Sequence, residues 1–398
     1  MSKLIAFFKN NIFPSNPKTG QLGCIDYNLS LLQWSGMPLF GAQSETKLSI
    51  IFYGIIVWTL MRIPYQVFEI FDIVAIYGNM GDLTQNLCMS LLHFGASIKT
   101  IMIFSRLGDF YDIVKQLRIM SIEYCKTKEQ RDVFFKMEFE NKLTLSVYAL
   151  IVELSSCFGM LMVLLGPNNL VGNIFPYRAK IPDFISMDIQ LFYVPLNIIV
   201  IGLQMVAIDY LNVAFINLTR SQLQMLNISF DELNESKVGR ITVDPVKHLN
   251  SLIKHHTYIL EIRQKIETIF KYPMLVQFMV SLLIIALTGF QVLVQSDTSG
   301  LVMIYLYVGC ILMELLVYCW FGTQVSEQNK TLALRGYESS WYNFDMKYRK
   351  SLVIFLMNAQ RPFCFTAGSF LELNLSTFGQ ILSKSYSVVA LLRQQYSG

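Results

Sequence analysis

Met274-Leu-Val-Gln-Phe-Met-Val-Ser-Leu-Leu-Ile-Ile-Ala-Leu-Thr-Gly-Phe-Gln-Val-Leu-Val294 carries no Asp, Glu, Lys or Arg along its whole length. Wound as a helix at 1.5 Å per residue, a run of this kind crosses the roughly 30 Å hydrocarbon core of a bilayer. Working outward, six more runs reach or approach that length: Leu48 to Phe68, Leu83 to Phe104, Leu143 to Leu165, Ile189 to Leu218, Leu301 to Gly322 and Phe363 to Leu392. Leu83 to Phe104 is the weakest, because His93 and Lys99 fall inside it. Ile189 to Leu218, at roughly 45 Å, exceeds what the hydrocarbon needs and is expected to protrude. Composition agrees: of 398 residues 53% are hydrophobic and 15% charged, against about a quarter charged in a soluble domain. The expectation is an all-α membrane protein with seven transmembrane helices.

Basic residues orient it. Arg106, Lys115, Arg118, Lys126, Lys128, Arg131 and Lys136 lie between the second and third runs. Arg220, Lys237, Arg240, Lys247, Lys254, Arg263, Lys265 and Lys271 lie between the fourth and fifth, and Lys330, Arg335, Lys347, Arg349, Lys350 and Arg361 between the sixth and seventh. Lys3, Lys9 and Lys18 precede the first, whereas the alternate loops hold only Arg178 and Lys180. The N-terminus is therefore expected in the cytosol and the C-terminus outside. The sequons at Asn28, Asn217, Asn227, Asn234 and Asn329 then face the cytosol or its edge, and Asn374-Leu-Ser376 lies inside the last run. Met1 to Pro17 has no small-residue cleavage site after its short apolar stretch, so the first run is expected to be the insertion signal.

The cysteines fit. Cys88, Cys157, Cys310, Cys319 and Cys364 fall within or at the ends of runs, Cys24 and Cys125 in the cytosol. All seven read as buried, inert thiols, and no extracellular disulfide is expected.

The cytosolic segments carry helical patterns of their own. Asp244-Pro245 is a helix start, an N-cap followed by Pro at the first position. After it Leu249, Leu252, Ile253, Ile259, Leu260, Ile266, Ile269 and Phe270 recur at helical spacing, up to Tyr272-Pro273, which is expected to open the fifth span. Leu107, Phe110, Tyr111, Val114 and Leu117 form a similar stripe after the second run. Such stripes must be buried. Packing against the chain's own helices is one solution; a subunit interface below the membrane is the one preferred here.

No phosphate-binding glycine loop, His-Glu-x-x-His, Cys-x-x-Cys or Gly-x-Ser-x-Gly occurs. The histidines are His93, His248, His255 and His256, and the last two are sequence neighbours rather than four apart, a poor metal pair. Glu153, Asp209 and Glu314 are the acidic residues within runs, functional candidates because charge in lipid is costly. For Asp209 and Glu314 ordinary helix pairing serves as well. Nothing points to an enzyme, a cofactor or a nucleic-acid partner.

Tyr318-Cys-Trp-Phe-Gly-Thr-Gln-Val-Ser-Glu-Gln328, Tyr337-Glu-Ser-Ser-Trp-Tyr342, Gln360-Arg-Pro362, Ala367-Gly368, Leu373-Asn-Leu-Ser-Thr-Phe378 and Lys384-Ser-Tyr-Ser387 follow in that order. This series resembles the C-terminal signature of insect odorant receptors; over the preceding residues the resemblance rests on length, architecture and topology. It implies a heteromeric assembly of four subunits around one pore, opened directly by small volatile odorants and working with an obligate co-receptor. The co-receptor of that family has a large insert between helices four and five. Here Thr219 to Tyr272 is short, so the chain resembles a tuning subunit. The organisation implied is a cytosolic segment over 1–47, helices one to four with the odorant pocket over 48–218, and a cytosolic anchor segment over 219–272. Helices five and six follow over 273–322, a second anchor segment over 323–362, and a pore-lining last helix with a short extracellular end over 363–398.

Lys384, Val388, Leu391 and Gln395 fall on one face of that last helix. By position in the family pattern Leu391 and Gln395 match an outer gate, where an apolar ring blocks ions by dewetting. Four copies of Lys384 around a cation path would repel the ion, which gives a reason for a homomer to conduct poorly. The pocket implied by the resemblance lies in the outer halves of helices two, three, four and six. The residues at those depths are Cys88, Met89, Leu92, Phe158, Met162, Phe192, Tyr193, Leu196, Met303, Tyr305 and Tyr307. Aromatic and Met side chains suit small volatiles, and the tyrosine hydroxyls would favour a ligand with one polar group, such as a phenol, indole or ketone. A gustatory receptor of the same superfamily is the nearest rival. A G-protein-coupled receptor would need Asp/Glu-Arg-Tyr and Asn-Pro-x-x-Tyr, both absent, and a transporter internal repeats.

Overall fold

The computed structural model describes residues 14–37, 48–78, 80–165, 187–235, 244–294 and 298–397. These are almost wholly helical. A short helix, α1 (Gly23–Trp34), is followed by α2 (Leu48–Val57), a π-helical turn (Trp58–Arg62) and α3 (Ile63–Ala75), which run on as one rod. Then come α4 (Met80–Phe104), α5 (Leu107–Tyr124), α6 (Lys128–Leu165), α7 (Met187–Glu235), α8 (Pro245–Val294), α9 (Thr298–Glu338) and α10 (Met346–Ala359). A two-stranded hairpin, β1 (Thr366–Ala367) and β2 (Leu371–Glu372), leads into α11 (Leu375–Ser397). Four of the described helices are long and apolar enough to cross a membrane by length and composition alone.

The axle of the bundle is α7. From Ile201 to Phe230 nearly every side chain is buried, on all sides of the helix, as befits an element surrounded by others. It packs on α6, α9, α8 and α1, while α8 packs on α4, α5, α11 and α10. The helices that bear basic residues extend well past the apolar runs: α6 begins at Lys128, α7 ends at Glu235, α8 begins at Pro245 and α9 ends at Glu338. Together with α5 and α10 they make a second bundle, called here the basic end. The overlong fourth run is part of a longer helix still, Met187–Glu235.

Four expectations change. The helix opened by Asp244 does not stop at Tyr272-Pro273: α8 continues through Pro273 to Val294. The start is as read, with the Asp244 carboxylate accepting the Val246 N–H at 3.0 Å. Pro273 removes a single backbone donor, and the packing of α8 on both sides of it outweighs that loss. The last run does not form a helix from Phe363. Gly368 adopts φ +64° at the turn of the hairpin, and its N–H donates to the Lys271 carbonyl at 2.8 Å. The helix opens only after Asn374, whose side chain caps the Thr377 N–H at 2.8 Å. A sequon inside the span is thus an N-cap in front of it.

The apolar stripes of the basic end are closed within the chain, against the preferred expectation of a subunit interface. Leu249, Ile259, Ile266, Ile269 and Phe270 of α8 are buried together with Phe110, Val114 and Leu117 of α5 and Phe215 and Phe230 of α7. Phe215 lies 5.6 Å from Phe110 and 5.7 Å from Phe270 between ring centroids. Six cysteines are at least partly buried, but Cys157 is exposed, on the outer face of α6 beside Leu150 and Leu154.

Candidate ligand site and pore helix

The rod α2–α3 has an inverted surface. Phe52, Ile55, Ile56, Ile63, Val67, Ile70, Phe71 and Val74 face outward, while Arg62, Tyr65, Glu69 and Asp72 are buried. In lipid the apolar face needs no cover, and polar groups must meet one another inside. Here they meet α4. The Arg62 guanidinium donates through Nε to Ser97 Oγ at 3.2 Å and through one terminal nitrogen to the His93 carbonyl at 3.1 Å. Gln66 Nε2 donates to the same Ser97 hydroxyl at 2.7 Å. Glu69 Oε1 lies 2.5 Å from His93 Nδ1, and Asn86 Nδ2 donates to Asp72 Oδ2 at 2.5 Å. The apolar run ends at Phe68, so Glu69 and Asp72 fall outside it although the helix continues to Ala75. The spacing of Arg62, Gln66, Glu69 and Asp72, at i, i+4, i+7 and i+10, is the signal that reveals this face.

Nearer the basic end a second polar node joins four helices. Lys99 Nζ of α4 donates to both Asp209 carboxylate oxygens of α7, at 2.6 and 2.8 Å, and to Gln277 Oε1 of α8 at 2.5 Å. Tyr318 of α9 donates its hydroxyl to Asp209 Oδ1 at 3.2 Å. Close by, Tyr148 of α6 donates to Glu314 Oε2 of α9 at 3.3 Å. Asp209 and Glu314 thus serve helix pairing, and Lys99, which weakened the second run as a sequence signal, is the cation that compensates Asp209. Glu153 of α6 faces Gly202 of α7, where a Cβ would stand 3.0 Å from Oε1.

The expected pocket residues separate into groups. Cys88 is buried, and its carbonyl accepts the Tyr307 hydroxyl at 3.0 Å, which brings α4 and α9 together there. Gln291 Nε2 of α8 approaches Cys88 Sγ at 3.7 Å. Leu92 and Tyr307 pack partly buried on the core; Met89, Phe158 and Met303 are half-buried. Tyr193 donates its hydroxyl to the Leu60 carbonyl at 2.8 Å and lies 3.2 Å from that of Met61. Leu196 and Tyr305 point away from the bundle, 49% and 61% exposed. The side chains of Met162 and Phe192 lie outside the described residues.

On α11 a narrow stripe of Thr377, Ile381 and Ser385 is buried against α8 and α9. Gly289 of α8 admits Val389 there, since a Cβ would collide with it. Lys384 and Val388 are exposed, and the side chains of Leu391 and Gln395 lie outside the described residues.

At the basic end His255 is committed to structure. Its ring stacks on Tyr124 at 3.7 Å and Nε2 lies 3.0 Å from Gln222 Oε1; burial, then the neighbouring His256, push its pKa down to about 3. His256 meets the Phe355 ring edge-on, and burial lowers it to about 4. Glu138 is fully enclosed, its carboxylate accepting from Ser15 Oγ at 2.6 Å and the Cys24 N–H at 2.8 Å, and burial raises its pKa in spite of them. Among the described residues no cluster of three His, Cys, Asp or Glu has the makings of a metal site.

The family model of the 7tm odorant receptors matches residues 79–386. Odorant receptor 85c of Drosophila melanogaster is 29% identical over 150 residues, 38% of this chain and 39% of that protein. Odorant receptor Or2 of Anopheles gambiae is 25% identical over 149 residues, 37% of this chain and 39% of that protein. The alignments thus span about two-fifths of the curated relatives. In three dimensions the chain is similar to the olfactory receptor OR5 of Machilis hrabei, solved in complex with eugenol. The TM-score is 0.77 at 17% identity, over 93% of this chain and 97% of that one.

Proposed function

The chain belongs to the insect odorant receptor family, a multi-pass membrane receptor and not an enzyme, and from that premise we propose that it is a tuning subunit of an odorant-gated cation channel. In this reading it sits in the plasma membrane of olfactory sensory neurons, N-terminus in the cytosol, and works as a heterotetramer with the odorant receptor co-receptor. The observation that carries the reading is the state of α11. A terminal helix whose fully buried side chains, among the described residues, are Thr377, Ile381 and Ser385, while Lys384, Tyr386 and Val388 stand open, is incomplete in one chain. Neighbouring copies around an axis would cover its flanks and leave the Lys384, Val388, Leu391 and Gln395 face to water and ions.

The basic end supplies the joint. Its interior stripes are occupied, but α10 presents Val353, Ile354 and Met357, each more than half exposed, in front of Met346. That is an apolar face in water which a neighbouring subunit would bury. The ligand is read as a small volatile, an aromatic one being favoured by the Phe, Tyr and Met residues at the expected depth; the Machilis receptor of similar fold was solved in complex with eugenol. Two-electrode recording from oocytes expressing the chain with and without an insect co-receptor, with G-protein signalling blocked, tests the reading. Rapid inward current on odorant application, in paired cells only, is the expected result. Robust current from the chain alone would remove the case for a tuning subunit.

A further inference from the structure

Pro64 follows the π-helical turn by two residues. In an α-helix the Leu60 carbonyl would accept the N–H of residue 64, which proline lacks, and the proline ring crowds that same carbonyl. The chain yields by widening to the π register, in which the Ile63 N–H reaches back to the Trp58 carbonyl. Leu60 O has thereby lost its α-helical donor, in a span where no water can replace it. Its donor comes from another helix: the Tyr193 hydroxyl of α7 at 2.8 Å, with Met61 O 3.2 Å away. The same stretch is gripped again one residue later. Arg62 reaches Gln204 Oε1 of α7 at 3.4 Å, Ser97 Oγ and the His93 carbonyl of α4.

We propose that the Tyr193 hydroxyl acts on the first span rather than on the ligand. It gives Leu60 the hydrogen bond that Pro64 withholds, and so latches the α7 wall of the odorant site to the π turn. Tyr193 is then a positioning residue. Its ring is free to border the ligand, but its hydroxyl is spent on the neighbouring helix, and a ligand that displaces the ring pulls on Leu60 and, through the turn, on Arg62. π turns recur at functional sites because they hold a helix one residue out of register. The inference rests on the channel reading above, and names a residue through which that channel's ligand site is held.

The test is Tyr193→Phe expressed with the co-receptor, with currents normalised to surface-labelled receptor. The panel contains a hydrocarbon, a ketone and a phenol of similar size. Loss of the latch should raise the half-maximal concentration by the same factor for every active odorant, roughly three- to tenfold, the worth of one hydrogen bond. In a Pro64→Ala background, where residue 64 again donates to Leu60, the same substitution should shift it less than about twofold. Pro64→Leu serves the same purpose if Pro64→Ala does not reach the surface. A shift confined to odorants with a polar group would place the hydroxyl on the ligand and overturn the latch, as would equal shifts in both backgrounds. Silence of the unsubstituted pair to the whole panel would instead remove the channel reading, and the latch with it.

Discussion

The two halves of this molecule are built from the same kind of helix turned opposite ways. At the basic end α8 hides Leu249, Ile259, Ile266 and Phe270 and leaves Lys254 in solvent, 73% exposed at its side chain. In the span half α3 hides Glu69 and Asp72 and leaves Ile70, Phe71 and Val74 outside. Water drives apolar stripes together. Lipid is as apolar as leucine and drives none, so helices there are held by packing and by polar groups with nowhere else to go. The difference teaches that the solvent decides which residues of a helix become its core.

Cutting the polar node should break the span half most severely. Lys99→Met leaves the Asp209 carboxylate buried, and losing one partner of a buried pair costs about 3–5 kcal/mol. The readouts are surface expression and thermal stability of the purified protein. Adding Asp209→Leu should recover most of the loss, because the uncompensated charge is then gone. If Lys99→Met were tolerated, the node would not be a core.

Phe215→Ala makes the matching cut at the basic end, between Phe110 and Phe270. A cavity there should cost about 3–4 kcal/mol. No charge substitution elsewhere will rescue it, in contrast to the Lys99 variant; a larger apolar neighbour, such as one grown at Leu211 one turn back on the same face, has the means to refill the space. Rescue by partner removal in one half and by volume in the other would sharpen the contrast into a rule about solvent.

Protons offer a gentler probe of the basic end. His255 and His256 fold in their neutral forms, at about 3 and about 4 against an ordinary 6.5. Their lowered values mean that stability is full above pH 6.5 and falls as the pH drops through that value toward 4 and 3, because the unfolded chain takes up protons first. Thermal unfolding in detergent from pH 7 to pH 4.5 should show this decline, and His255→Asn should flatten part of it. An unchanged slope in that variant would mean that carboxylates alone govern acid unfolding.

What the sequence made legible follows the same division. The stripes of α5 and α8 could be read because water imposes a period on apolar residues, and Leu83 to Phe104 or Met274 to Val294 because lipid imposes a length. The polar face of α3 was missed, since Glu69 and Asp72 look like the end of a span when charges are taken as boundaries. The burial partner of the α8 stripe was also beyond reach: periodicity says that a face is covered, not by what. In the last run Gly368 and Asn374, a turn residue and a cap, carried the correction in plain view. Hydropathy does not register such local backbone signals. In the pocket the Cys88–Tyr307 and Tyr193–Leu60 contacts use backbone carbonyls as acceptors, so neither follows from residue type.

The smallest effect expected is at the seam between α1 and α5, where Arg118 meets Asp26 at 2.8 Å with both side chains about a quarter exposed. Distance alone would make this pair look like Lys99 and Asp209. Yet burial raises the Asp26 pKa, and the Arg118 charge only partly offsets it, so the carboxylate is costly to ionise in the fold despite its partner. Partly solvated pairs contribute about 0–1 kcal/mol. Asp26→Asn keeps the shape and one acceptor for Arg118, and should therefore move thermal stability by less than about 1 kcal/mol in either direction. A loss above about 2 kcal/mol would mean that the basic end also leans on a buried charge pair, and the contrast between a water-made core and a lipid-made one would fail at this seam.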